Sequence, residues 1–209
     1  MMNYFEKFTD HLLFDEEPSI YFREIDNEDF FNKDYPFTLL SQLKQTEQNP
    51  KWHPEGNVWN HTLNVIDNGA LVRDKSDDEM VFMWSCLLHD IGKPSTTKVR
   101  RGKITAYDHD KAGEKLSIEF LSAFNCDNEF IYKVSKMVRW HMQVLMVIKN
   151  LTFADIETMV KEVSVHEIAL LAMCDRLGRG KVTDRVISEE KKNMQYFLKK
   201  CMPYINSLN

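Results

Sequence analysis

The stretch WSCLLHDIGKP, Trp84 to Pro94, ends an apolar run in His89 and Asp90 before Gly92 and Pro94 stop the helix. A carboxylate at the end of a buried helix costs on the order of several kcal/mol unless a positive group answers it. A salt bridge, a capping role or a metal ion could each be that answer. Four more residues bear on the choice. His61 shares a helix face with Val58, Thr62, Val65, Gly69 and Val72. His141 continues the stripe Phe130, Val134, Met137, Val138, and His109 precedes the stripe Ala112, Gly113, Leu116, Phe120. Asp175 follows Ile168 and Ala172 at helical spacing. A lone histidine on an apolar stripe is more often a hydrogen-bonded core residue, and Asp175 has Arg176 beside it as a simple ion-pair partner. Yet six metal-competent side chains here point inward from five helices or helix ends. Four imidazoles and two carboxylates have few partners among themselves unless a cation sits between them. Imidazole nitrogen with carboxylate oxygen is a ligand set for Zn, Fe, Mn, Ni or Co.

The elements that must deliver these side chains read as helical almost throughout. Periodicity and caps place helices near 29–48 (interrupted at Pro36), 58–73, 77–91, 110–124, 127–141, 152–162, 164–177 and 183–200. Asp77 and Asp127 are expected N-caps, and SVHE, Ser164 to Glu167, matches a capping box. TTKVRRGKITAYDHD alternates around Arg101-Gly102 and predicts a short β-hairpin between two helices. The expectation is a compact all-α chain of one domain over 1–209. Its core covers about 48–181, with a helical arm at 1–47 and a last helix within 182–209.

Composition agrees with a globular chain of 209 residues, 43% hydrophobic and 28% charged. The net charge of −5 weighs against general coating of nucleic acid or anionic membrane. The N-terminus MMNYFEKFTDHLLFDEE lacks the basic region and long apolar run of a signal peptide, and no segment is long enough to span a bilayer. Cys86, Cys126, Cys174 and Cys201 have no CxxC spacing and read as core thiols of a reducing compartment. The expected location is the cytoplasm. Without cysteine ligands, a catalytic metal site with open positions is favoured over a closed structural zinc.

His61, the pair His89-Asp90 and Asp175 resemble the H…HD…D signature of the HD-domain metal-dependent phosphohydrolases. The likeness extends to QNPKWHPEGNVWNHTLNVID, LLHDIGKP, YDHDKAGEKL, RWHM and CDRLGRG. These resemble, in the same order, the HD domain of bacterial CCA-adding tRNA nucleotidyltransferases over about 48–181. No Gly-Ser loop with paired acidic residues appears upstream, so the expectation is a stand-alone HD hydrolase. YDHD stands where the related domains often show Gly-His-Glu, and His109 is kept. The resemblance implies an HD-domain bundle with one or two divalent ions, of Mn, Fe, Mg, Ni, Co or Zn. His61, His89, Asp90 and Asp175 would hold the first ion. His109 and His141 would hold a second, with Asp90 bridging.

It further implies hydrolysis of a phosphomonoester or phosphodiester, such as a nucleotide or cyclic phosphate, with Asp90, His89 and Lys93 in the catalytic machinery. Lys93, Arg139, Arg176 and Arg179 are the expected phosphate contacts, because guanidinium groups suit bidentate phosphate binding. The expected partner is a small phosphate ester or nucleotide, with an RNA end as a further candidate. Two alternatives stay open: a binuclear-iron HD oxygenase, and a catalytically inactive metal-bound module that binds RNA or a protein partner. His53 and Glu55 in HPEG read equally as a site rim and as a structural loop. Arg100, Arg101 and Lys103 form a basic hairpin tip, Trp59, Trp84 and Trp140 read as core, and His11 and His166 receive no role.

Overall fold

The computed structural model describes residues 2–180 and 182–207. Lys181, where the expected core ends, and the terminal residues 1, 208 and 209 lie outside the described residues. Four helices lead the chain: α1 (Met2–Phe14), α2 (Ser19–Ile25), α3 (Asp29–Lys33) and α4 (Phe37–Ser41). A 3-10 turn at Gln42–Gln45 precedes α5 (Val58–Ala70), α6 (Glu79–Leu88) and the short α7 (Lys93–Thr96). The hairpin β1 (Thr97–Arg100) and β2 (Lys103–Ala106) then leads into α8 (His109–Ser122) and α9 (Asn128–Trp140). The remaining helices are α10 (Gln143–Ile148), α11 (Ile156–Glu162), α12 (Val165–Leu177) and α13 (Asp184–Asn206). The fold is an all-α bundle with one two-stranded hairpin among the described residues.

The bundle is organised around α6. Every residue from Val81 to Leu88 is buried, as a helix apolar on all faces must be. It packs against α1, α5, α9 and α12, and Phe8 and Leu12 of α1 belong to the same core as Trp84 and Leu88. Asp127 caps α9 as expected, accepting from the Glu129 and Phe130 amides. The cap of α6 is Asp78 and not Asp77; its side chain accepts from the Val81 amide at 3.2 Å. The capping box at Ser164 also fails, because Ser164 makes no side-chain cap bond. Glu167 is drawn across to the entry of α6, where it accepts from Ser76 Oγ at 2.7 Å and the Asp77 amide at 3.0 Å. A carboxylate there satisfies donors that precede a buried helix, which outweighs a bond within its own first turn. The hairpin turns through Arg101 (φ 50) and Gly102 (φ 72), the two positive values that a right-twisted two-residue turn requires.

These elements bring five chain segments to one end of α6. His61 lies one turn into α5, His89 ends α6, His109 opens α8, His141 ends α9, and Asp175 lies in the last turn of α12. Close approach at this end depends on Gly92, where a Cβ would meet His109 O at 2.1 Å and Gly113 N at 2.5 Å. No helix of the described residues is long and apolar enough to cross a membrane.

Candidate metal centre

Asp90 is 2% exposed and presents its two oxygens to different histidines. Oδ2 lies 3.2 Å from His89 Nε2 and 3.8 Å from His61 Nε2, whereas Oδ1 lies 3.4 Å from His109 Nε2 and 3.9 Å from His141 Nε2. Two buried triplets therefore share Asp90: His61 with His89, and His109 with His141. Asp175 reaches the first triplet through His61, its Oδ1 2.9 Å from Nε2. All six residues expected as ligands are at one place.

The imidazoles are held from behind. His89 Nδ1 donates to Cys86 O at 2.9 Å, His109 Nδ1 to Ala106 O at 2.7 Å and His141 Nδ1 to Val138 O at 2.6 Å. With the proton on Nδ1, each Nε2 carries a lone pair toward the centre. The Nε2 atoms of His109 and His141 then face each other across 3.2 Å with no proton to share. His89 Nε2 is buried and makes no hydrogen bond, whereas Asp90 Oδ2 faces the Lys93 ammonium at 2.6 Å. Two opposed lone pairs and the orphaned His89 nitrogen are costly without a positive centre between them. The donor set and the opposed imidazole nitrogens fit a divalent metal; the Lys93 ion pair answers Asp90 only at Oδ2.

Electrostatics sort the groups into two kinds. Burial alone would raise the Asp90 carboxyl, but His89 and Lys93 outweigh it and hold it well below the usual carboxylate range. Asp175 is likewise buried and likewise held well below that range by Arg179 and His61. His141 is pushed down to about 3 by burial and by neighbouring His109 and His89. Burial, with a contribution from Lys93, also lowers His109 against the pull of Asp90. That pair is neutral at ordinary pH and ready to ligate without losing a proton. His61 goes the other way: Asp175 and Glu55 raise it despite its burial.

A cavity of about 570 Å³ opens over Asp90, His109, His141 and Asp175. Lys93, Arg176 and Arg179 line it, as do Trp52, Tyr107 and Leu145. Lys93 Nζ lies 2.6 Å from Asp90 Oδ2 and donates to Gln48 Oε1 at 2.7 Å. Arg179 is engaged with Asp175 through Nη2, at 2.9 and 2.8 Å, and Arg176 with Glu190 at 2.9 and 2.8 Å. Arg139 is placed otherwise. It pairs with Asp110 and stacks over Trp140 at 4.4 Å, and it is not among the residues lining the cavity. Gln48 is a site residue the periodicity did not offer, since it lies in irregular backbone beyond the 3-10 turn at Gln42–Gln45. Glu55 and His53 are more than a rim: Glu55 Oε1 accepts from His53 Nδ1 at 2.8 Å and lies 2.9 Å from His61 Nδ1. Burial would raise Glu55, but His53 and His61 bring it down to about 2.

A family model described as HD domain fits residues 58–186. The A-adding tRNA nucleotidyltransferase of Deinococcus radiodurans is 27% identical over 89 residues, 39% of this chain and 20% of that protein. The Multifunctional CCA protein of Pasteurella multocida is 28% identical over 108 residues, 50% of this chain and 24% of that protein. That of Psychromonas ingrahamii is 42% identical over 48 residues, 23% of this chain and 11% of the relative. The chain thus spans less than a quarter of the length of these relatives.

Proposed function

Because the chain belongs to the HD-domain family, whose model covers residues 58–186 of 209, we propose that it is a metal-dependent phosphohydrolase. Its substrate is a phosphomonoester or phosphodiester, with a nucleotide or a cyclic phosphate as the favoured class. The observation that carries this reading is Asp90, shared by two buried histidine pairs on the floor of a cavity that also holds Lys93. When bound, a divalent metal supplies Lewis acidity toward water and phosphoryl oxygens near neutral pH. The protein's part is to hold the lone pairs of His61, His89, His109 and His141 in place before substrate arrives. Lys93, held by Asp90 and Gln48, would turn from Asp90 toward a phosphoryl oxygen once a metal takes over that carboxylate. Arg176 and Arg179 border the same cavity, and their carboxylate partners fix where they stand. The tRNA in the name of the Deinococcus radiodurans relative favours an RNA end as one carrier of the phosphate. The net charge of −5 confines such a contact to the cavity and its edge.

The test is a substrate screen of the purified chain, stripped of metal and reloaded in turn with Mn²⁺, Co²⁺, Ni²⁺ and Mg²⁺. p-Nitrophenyl phosphate, bis(p-nitrophenyl) phosphate, nucleoside monophosphates and 2′,3′-cyclic nucleotides are the probes. Metal-dependent hydrolysis of at least one of them, read as inorganic phosphate from the monoesters or as p-nitrophenol or nucleoside monophosphate from the diesters, and lost in Asp90→Asn, is the expected result. Absence of hydrolysis with every metal overturns the reading.

A further inference from the structure

Four imidazoles face the centre, but only three take their orientation from the main chain. His89 and His141 end their helices, where last-turn carbonyls lack helical partners and accept the Nδ1 protons. His109 follows β2, and Ala106 O is free in the same way. His61 lies inside the first turn of α5, and the carbonyl three residues before it, Val58 O, is committed to the helix's own ladder. His61 Nδ1 accordingly makes no hydrogen bond, and neither does the equally buried Glu55 Oε2. The two side chains adjoin, with Glu55 Oε1 2.9 Å from that nitrogen. The terminal torsion of Glu is broad, so its carboxylate can turn into line at little cost.

The loop that carries Glu55 is fixed at several points. Asn60 Nδ2 donates to Glu55 O at 3.2 Å, and Asn57 Nδ2 donates to Lys44 O at 2.9 Å. A Cβ at Gly180 would meet Pro54 Cγ at 2.4 Å, so Pro54 packs into space that only glycine leaves.

We infer that Glu55 is the positioning residue of His61, accepting its Nδ1 proton and leaving Nε2 for the metal. The same carboxylate oxygen binds His53, which lines the cavity, so one side chain orients an imidazole at the centre and another at the cavity wall. This inference rests on the metal reading above. Partners of this kind strengthen a ligand by fixing its tautomer, and their loss weakens metal binding by roughly 10- to 100-fold.

The experiment titrates stripped parent, Glu55→Gln, Glu55→Ala and His53→Ala with Co²⁺ alone, against a competing chromophoric chelator. The visible spectrum of bound Co²⁺ reports its ligand geometry, and Glu55→Gln, equal in size, guards against loss of folding. The expected outcome is affinity about 10-fold weaker in Glu55→Gln and about 100-fold weaker in Glu55→Ala, with an altered spectrum and His53→Ala within about 3-fold of parent. Parent-like affinity in both Glu55 variants overturns the inference while leaving the metal reading intact. An equal loss in His53→Ala also overturns it, since the loop's packing would then be responsible. A parent that binds no Co²⁺ overturns both.

Discussion

Asp90 presents Oδ2 to His61 and His89 and Oδ1 to His109 and His141, so its replacement removes a ligand from both halves of the centre. Asp90→Asn keeps the shape but forfeits the charge that offsets a divalent ion. Metal content after reloading should fall to background while the helical circular dichroism stays that of the parent; retained metal would contradict the bridge. His141 offers a second measurement at this scale. Its pKa is about 3 in the fold against an ordinary 6.5. Between these values the unfolded chain binds a proton that the folded chain refuses, so stability rises with pH across that window. The contribution of His141 is full above pH 6.5 and is lost as pH falls toward 3. Stripped His141→Gln should therefore show a shallower loss of urea midpoint between pH 7 and about pH 5 than the stripped parent. An unchanged slope would mean that the imidazole is not held neutral. His61 is raised and carries the opposite sign, which is why the single variant and not the whole curve is diagnostic.

At the scale of elements, the centre depends on how closely α8 approaches the end of α6. Gly92 is the residue that permits it, with a Cβ there directed into His109 O at 2.1 Å. Gly92→Ala should cost roughly 1–3 kcal/mol, the usual range for overpacking. It should also displace His109, the first residue of α8. Chemical denaturation and the affinity for the ion proposed to bind His109 would both register it; a fully stable variant with parent affinity would refute the account of this contact. The elements themselves were largely legible, because apolar stripes of period 3.6 and turn signals are local. The apolar run before His89-Asp90 announced a buried helix, and Arg101-Gly102 announced the hairpin. The stripes through His61 and His141 announced which way those rings face. Pairings between distant residues were not legible. Nothing near Arg139 indicated Asp110, and nothing near Arg176 indicated Glu190 on α13. Glu167 had a local partner on offer and took a distant one. Gln48 and Glu55 sit in irregular backbone, where periodicity carries no information about the direction of a side chain.

For the whole molecule, the proposed ligands come from α5, the end of α6, α8, the end of α9 and α12, so binding a metal would tie together helices spread across most of the bundle. Metal binding should therefore appear as folding stability. An ion present at about 100 times its dissociation constant adds about 2.7 kcal/mol, and chelation should lower the melting temperature by several degrees. The most direct test of the shared carboxylate is the number of metal ions per chain, measured by elemental analysis on reloaded parent, His109→Ala and His141→Ala. Two ions in the parent and one in each variant is the expected result, because those histidines serve only the Oδ1 side of Asp90. The same number of ions in all three proteins would contradict it and leave His109 and His141 to the substrate.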